Sequence, residues 1–195
     1  MSPLEISAAV FGAVSVYLSA KENIWSWPTA IINVGLYTIV FYESRLYADM
    51  GLQVVYLTLS IYGWYNWLHG GEQRSVLHVS RATPRTLAVL AILVVAGSLA
   101  LGATLYAHTN AAIPFLDSAL VATSLAAQWL MTRKVLENWL LWLAVDVVYV
   151  PMFISRGLIA TAVLYAVFLV LAVLGYISWR RSYIQRRPTR QLAVA

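Results

Sequence analysis

One carboxylate, Asp146, sits near the middle of an almost wholly apolar run, Leu136–Ile154, where Trp139, Trp142, Tyr149 and Phe153 recur around it at steps of three and four. That spacing puts all five on one stripe of a helix. At a rise of about 1.5 Å per residue, Asp146 lies roughly 15 Å from the helix ends, the depth of a bilayer midplane. An ionisable group at that depth costs several kcal/mol, so it faces a pathway or a partner rather than lipid. Aromatic faces attract a desolvated cation by up to ~2 kcal/mol and stack on planar heterocycles. The chemistry on offer is therefore the holding of a cationic ring, not the making of bonds. The competing reading gives the tryptophans to the interfacial belt and ties Asp146 to a neighbouring helix; Trp139, close to its helix end, serves either.

Further polar residues lie deep in other apolar runs. A second helix carries Thr29, Asn33 and Tyr37; Asn33 suits an amide or hydroxyl of a ligand and equally suits gluing two helices together. A third carries Gln53, Tyr56, Ser60 and Trp64 as one polar-aromatic stripe, with Asn66 near its end. A fifth carries Ser124 and Gln128 beside Trp129, whereas Asp117, just after Pro114, reads as a helix-start charge favoured by the helix dipole. The expected ligand-binding set is Trp139, Trp142, Asp146, Tyr149, Asn33, Tyr37, Gln128, Gln53, Tyr56 and Trp64. Catalysis has no such foothold. His69, His78 and His108 are scattered without metal-ligand spacing, there is no cysteine, and no Gly-rich phosphate loop, HExxH or GxSxG occurs. No enzyme, cofactor or metal site is expected.

The elements that must position these residues are membrane helices. Of the 195 residues 61% are hydrophobic and only 11% charged, too few to cover a soluble globule, for which about 25% is usual. Seven spans are expected, at about Leu4–Ala20, Ile24–Tyr42, Leu46–Leu68, Thr86–His108, Phe115–Thr132, Leu136–Ile154 and Leu158–Arg180. The first lacks the basic n-region of a cleaved signal and is read as retained. Of the 13 Lys and Arg, only Arg45 and Arg156 fall on one side of this topology. The positive-inside rule then sets the N-terminus outside and the C-terminus in the cytoplasm. The same placement, in short loops and a tail, argues against nucleic-acid binding.

An internal repeat crosses the longest loop, His69–Arg85. Glu22-Asn23 and Trp27 match Glu137-Asn138 and Trp142; Ser44-Arg45 matches Ser155-Arg156; Gly63-x-x-x-Trp67 matches Gly175-x-x-x-Trp179. The offset falls from 115 to 111 and 112 residues, which implies a short deletion within the sixth helix. Two three-helix units running the same way with a connector between them make a parallel 3+1+3 layout: 4–68, then the loop 69–85, the linker helix 86–108, the second unit 115–180 and a tail 181–195. Transporters built on such repeats bind near the midplane between them. The connector's small residues, Ala96, Gly97, Ser98, Ala100, Gly102 and Ala103, suit packing on the bundle or on another subunit.

The run Glu137-Asn138-Trp139-x-x-Trp142-x-x-x-Asp146, the segment Tyr62-Gly63-Trp64-Tyr65-x-Trp67 and the closing Gly175-Tyr176-x-x-Trp179-Arg180-Arg181 resemble the PnuC family of vitamin transporters, over nearly the whole chain. The resemblance implies an all-α core related to SWEET sugar transporters, a homotrimer in a bacterial inner membrane, and facilitated diffusion of nicotinamide riboside, trapped by cytoplasmic phosphorylation. The riboside's pyridinium suits the aromatics with Asp146, and Asn33 and Gln128 suit its carboxamide and ribose. Thiamine, also a cation, fits the same cage; neutral riboflavin leaves Asp146 less to do. A different class remains open: a non-transporting vitamin-binding subunit that hands its ligand to a partner.

Overall fold

Proline and threonine mark two helix starts. Pro84 opens α4 (Pro84–His108), capped by the Thr83 hydroxyl, which accepts from the Thr86 N–H at 3.1 Å, and Pro114 opens α5 (Pro114–Thr132). In the first turn a proline removes no helical hydrogen bond. The remaining helices are α1 (Pro3–Ala20), α2 (Ser26–Glu43), α3 (Tyr47–His69), α6 (Asn138–Ser155) and α7 (Ile159–Leu192). This computed structural model describes residues 3–43, 47–109 and 113–192, with side chains excepted at 47–49, 160 and 187–192. The expected start of the third span at Leu46, and the Ser44-Arg45 motif, lie outside the described residues. The all-helical class stands, with one isolated backbone bridge, Ser80 to Val135, in place of any strand among the described residues.

One boundary differs. The tail expected from 181 onward continues α7 as helix to Leu192. The first part of that extension has tertiary partners: Tyr183 packs on the buried core and the Arg186 guanidinium meets the His78 ring.

Among the described residues, four helices can cross a membrane on length and composition alone: α1, α4, α6 and α7. The other three are less apolar because they carry Asn33, Gln53, Tyr56, Ser124 and Gln128. Those groups turn inward, while the outward faces stay apolar, as with Ile6, Val10, Val14 and Tyr17 on α1. Packing runs α1 to α2, α2 to α3, α3 to α5, α5 to α6, α6 to α7 and α7 back to α1, so six helices close a ring. Helix α4 stands outside it against α5, where Gly102 gives the Phe115 ring its place.

The packed core is at one end of the ring. There Ala20, Trp27, Trp67, Val79, Met131, Leu136, Trp139, Ala172 and Trp179 form one buried cluster, beneath loops that hold Lys21, Arg74, Arg81, Arg133 and Lys134. We call this the basic end. Helices α1 and α5 stop there by the same device, a left-handed residue that lets the next N–H reach back. Glu22 has φ 56° with Asn23 N–H on the Leu18 carbonyl at 2.9 Å, and Lys134 has φ 54° with Val135 N–H on the Leu130 carbonyl at 3.0 Å. At the opposite end Gly157, φ 73°, does the same for α6. Glycine adopts that conformation freely, whereas Glu22 and Lys134 pay roughly 1–2 kcal/mol for it.

These contacts recur at one interval of 112 residues. Trp67 donates its indole N–H to the Met131 carbonyl at 3.0 Å, and Trp179 donates to Ser19 at 2.9 Å, so 67 matches 179 and 19 matches 131. Trp27 meets Trp67 edge-on at 5.3 Å, and Trp139 meets Trp179 edge-on at 5.4 Å. A Cβ at Gly63 would collide with the Trp27 ring, and one at Gly175 would lie 2.6 Å from Trp139. The contact partner of Trp27 by this register is Trp139, not Trp142, and Glu22 matches Lys134, not Glu137. The expected 115-residue offset and the deletion in the sixth helix are therefore corrected: identical letters were three residues out of structural step.

Candidate functional site: an aromatic cavity inside the ring

The ring of helices encloses a cavity of about 930 Å³, lined from all six of its members and by none of α4. It reaches from Glu5, Phe41 and Phe153 and the half-exposed turn residue Leu158, far from the basic end, down to a floor of Trp27, Met131 and Trp139. Below that floor Trp67 and Trp179 are sealed.

Nine of the ten expected residues line this one space: Asn33 and Tyr37 from α2, Gln53 and Tyr56 from α3, Gln128 from α5, and Trp139, Trp142, Asp146 and Tyr149 from α6. Trp64 does not. It lies outside the lining and is 38% exposed. The inward stripe of α3 runs Gln53, Tyr56, Ser60, Gly63, Trp67, and the last turn passes through Gly63 because the Trp27 ring occupies the space a side chain would need. Trp64 is one residue, or about 100°, off that stripe.

Asp146 is 3% exposed, and among the described residues no hydrogen bond or ion pair engages its carboxylate. A buried charge is ordinarily paired. Around it stand rings from α6 and α7: Tyr149 stacks on Phe153 at 5.3 Å, and Tyr165 lies 4.9 Å from Tyr149 and 5.0 Å from Phe153. Among the described residues the lining includes two carboxylates, Glu5 and Asp146, and no lysine, arginine or histidine. Such a surface favours a cation with a flat ring.

Asn33 is committed in part. Its Nδ2 donates to the Ala8 carbonyl at 2.6 Å, tying α2 to α1, and Gly12 leaves room for that amide. The helix-joining reading of Asn33 therefore holds, and the residue also lines the cavity. Residues that spacing did not single out also face the space, namely Ser15 and Ser19 on α1 and Tyr165 and Phe168 on α7. Their signal was present, since Thr161, Leu164, Tyr165, Phe168 and Ala172 repeat at helical steps, but an apolar stripe in a membrane helix reads as lipid-facing too. Among the described residues no three potential metal ligands converge.

Two cations of the basic end are paired with carboxylates. Lys134 Nζ is 3.0 Å from Glu22, and Arg81 Nε donates to Glu137 at 2.8 Å. Burial lowers the Lys134 pKa from the ordinary lysine value, with Glu22 pulling it back; the bond to Glu137 raises that of Arg81.

Residues 2–181 match the family model described as nicotinamide mononucleotide transporter. The chain belongs to that family. Its members are transporters, which makes this a multi-pass membrane protein. It is 30% identical to the nicotinamide riboside transporter PnuC of Escherichia coli (strain K12), across 95% of this chain and 88% of that one. It is 25% identical to the riboflavin/roseoflavin transporter RibM of Streptomyces davaonensis, across 95% and 89%. A crystal structure of the vitamin B3 transporter PnuC superimposes with a TM-score of 0.74 at 27% identity, covering 93% of this chain and 82% of that one. The relatives of this chain therefore include proteins named for a cationic cargo and for a neutral one.

Proposed function

We propose that this protein takes up nicotinamide riboside by facilitated, alternating-access transport, with cytoplasmic phosphorylation trapping the cargo. The observation that carries the cargo is Asp146: a buried carboxylate, ringed by aromatics, that among the described residues has no protein partner and shares its cavity lining with no basic residue. A pyridinium between Trp142 and Tyr149 supplies the missing counter-charge, and Gln53, Gln128 and the Asn33 oxygen are placed for the carboxamide and ribose. The volume suits a ligand of this size, since small-molecule sites run about 300–1,000 Å³. The basic end faces the cytoplasm under the positive-inside rule, so the cavity as seen receives ligand from outside. The ring divides into two three-helix units, α1–α3 and α5–α7, joined by α4, whose bare outer face serves the contact within a homotrimer.

Thiamine shares the positive ring, and the aromatic cage around Asp146 supports it as the second reading. Riboflavin, named in one relative, gives Asp146 no charge to meet. Uptake of labelled riboside by proteoliposomes holding this protein alone is the test. Uptake competed by unlabelled riboside at lower concentration than thiamine or riboflavin is expected; tight binding without uptake would instead make the protein a binding subunit.

A further inference from the structure

The loop joining the two halves is laid across the basic end as a strap. From Ser75 to Thr83 it runs under the floor of the cavity with Val79 buried in the tryptophan cluster. Its backbone is held at four points: Leu77 N–H donates to the Trp67 carbonyl at 3.0 Å, Ser80 N–H to Lys134 at 3.1 Å, Leu136 N–H to the Ser80 carbonyl at 2.9 Å, and Lys134 Nζ to the Leu77 carbonyl at 3.2 Å. Glu137 clasps the next residues with both oxygens, accepting from Arg81 Nε and from the Ala82 N–H, each at 2.8 Å.

Beneath the strap the two halves are tied directly. Lys134 reaches Glu22 at 3.0 Å from its seat over the Trp67 ring, and the crossed bonds from Trp67 to Met131 and from Trp179 to Ser19 complete the closure. Both members of the ion pair occupy left-handed positions that glycine would fill without strain. Directly above, the Ser26 hydroxyl, the Asn138 side-chain oxygen Oδ1 and the indole N–H groups of Trp27 and Trp139 are buried with no hydrogen-bond partner among the described residues. Closed packing that leaves four polar groups unpaired is disfavoured locally and is kept shut by bonds elsewhere.

We propose that the strap is the inner gate: Glu137 and the Glu22–Lys134 pair hold it down, and its release opens the floor at Trp27 and Trp139 to the cytoplasm. Substrate leaves only when Val79 and the Ser80–Val135 bridge lift away. Glu137 acts as a positioning residue, since it lines no part of the cavity. The inference rests on the transport reading above.

Because the chain has no cysteine, introduced thiols are unique. Ser80→Cys with Val135→Cys, joined by a reducible bifunctional methanethiosulfonate, locks the strap. Locked protein in liposomes is expected to lose at least tenfold in uptake, to keep its riboside affinity in detergent, and to recover on reduction. Full uptake by the locked protein overturns the gate, whereas no uptake by the reduced protein counts against the transport reading instead. Accessibility supplies a second measure that needs no cargo. With Ala172→Cys as reporter beside the floor, Glu137→Gln is expected to raise labelling by an impermeant maleimide from the basic end about three- to tenfold. Unchanged labelling would show that the clasp holds nothing shut.

Discussion

Replacing Asp146 by Asn removes one charge and little volume. Trp142 and Tyr149 lie four residues before and three after Asp146 on α6, so a ring held between them comes within about 5–6 Å of the carboxylate. At that distance, and at the effective dielectric of about 20 that describes buried sites, the attraction to a unit positive charge is about 3 kcal/mol. Desolvating the ligand's charge offsets part of it. A net loss of about 1.5–2.5 kcal/mol remains, a weakening of Kd by about ten- to sixtyfold. A neutral flavin is expected to bind Asp146→Asn and the unaltered protein within about twofold. The assay is calorimetric titration of both ligands into both proteins in detergent, with thermal unfolding to show that the variant is folded. Equal riboside affinity in the two proteins would refute the assignment of Asp146 to the cation, and an equal loss for both ligands would refute the electrostatic reason for it.

Other perturbations separate binding from packing. Trp142→Ala is expected to cost riboside affinity at least tenfold, while Trp64→Ala, outside the cavity lining, leaves Kd within about twofold in the same titration. At Gly175 an added Cβ falls 2.6 Å from Trp139, and at Gly35 it meets nothing within 4 Å. Gly175→Ala should therefore lower stability by about 1–3 kcal/mol, and Gly35→Ala raise it by up to about 1 kcal/mol, opposite shifts of Tm from one chemical change. Asn33→Ala breaks the 2.6 Å bond to Ala8. Such interhelical bonds in membranes average about 0.6 kcal/mol, so a small fall in Tm is expected, together with a loss of affinity only if the amide oxygen also meets the ligand.

What the sequence made legible follows from what periodicity can see. The stripe Trp139, Trp142, Asp146, Tyr149 on α6 is a property of one helix, and it faces the cavity as spacing predicts. Trp64 fails for a reason held in another helix, since the inward path of α3 goes through Gly63 only because the Trp27 ring arrives there. A period alone cannot weigh a glycine above a tryptophan. Glu22 shows the same gap at the level of the internal match. Alignment by identity pairs it with Glu137, but its counterpart in the fold is Lys134, and the two are salt-bridged. Opposite charges at equivalent positions attract each other across the molecule and are invisible to a search for likeness.

The 112-residue interval also separates the frame from the site. Where the tryptophans pack, each contact on α1–α3 has its match on α5–α7: the Gly63 notch with the Gly175 notch, the Trp67 bond with the Trp179 bond. Inside the cavity the matching is partial: the stacked pair Tyr37 and Phe41 recurs as Tyr149 and Phe153, but the charged and amide groups do not recur. At the same interval Asp146 corresponds to Val34 and Asn33 to Val145, so these two polar groups each have an apolar counterpart in the lining. A two-fold frame can rock symmetrically about its axis, which suits alternating exposure of one space. A ligand with a charged ring at one end and hydroxyls at the other breaks that symmetry, and the breaks in the lining are where such a ligand would have to be read. On the transport reading, repetition at the basic end serves movement, and its local loss at Asp146 and Asn33 serves recognition.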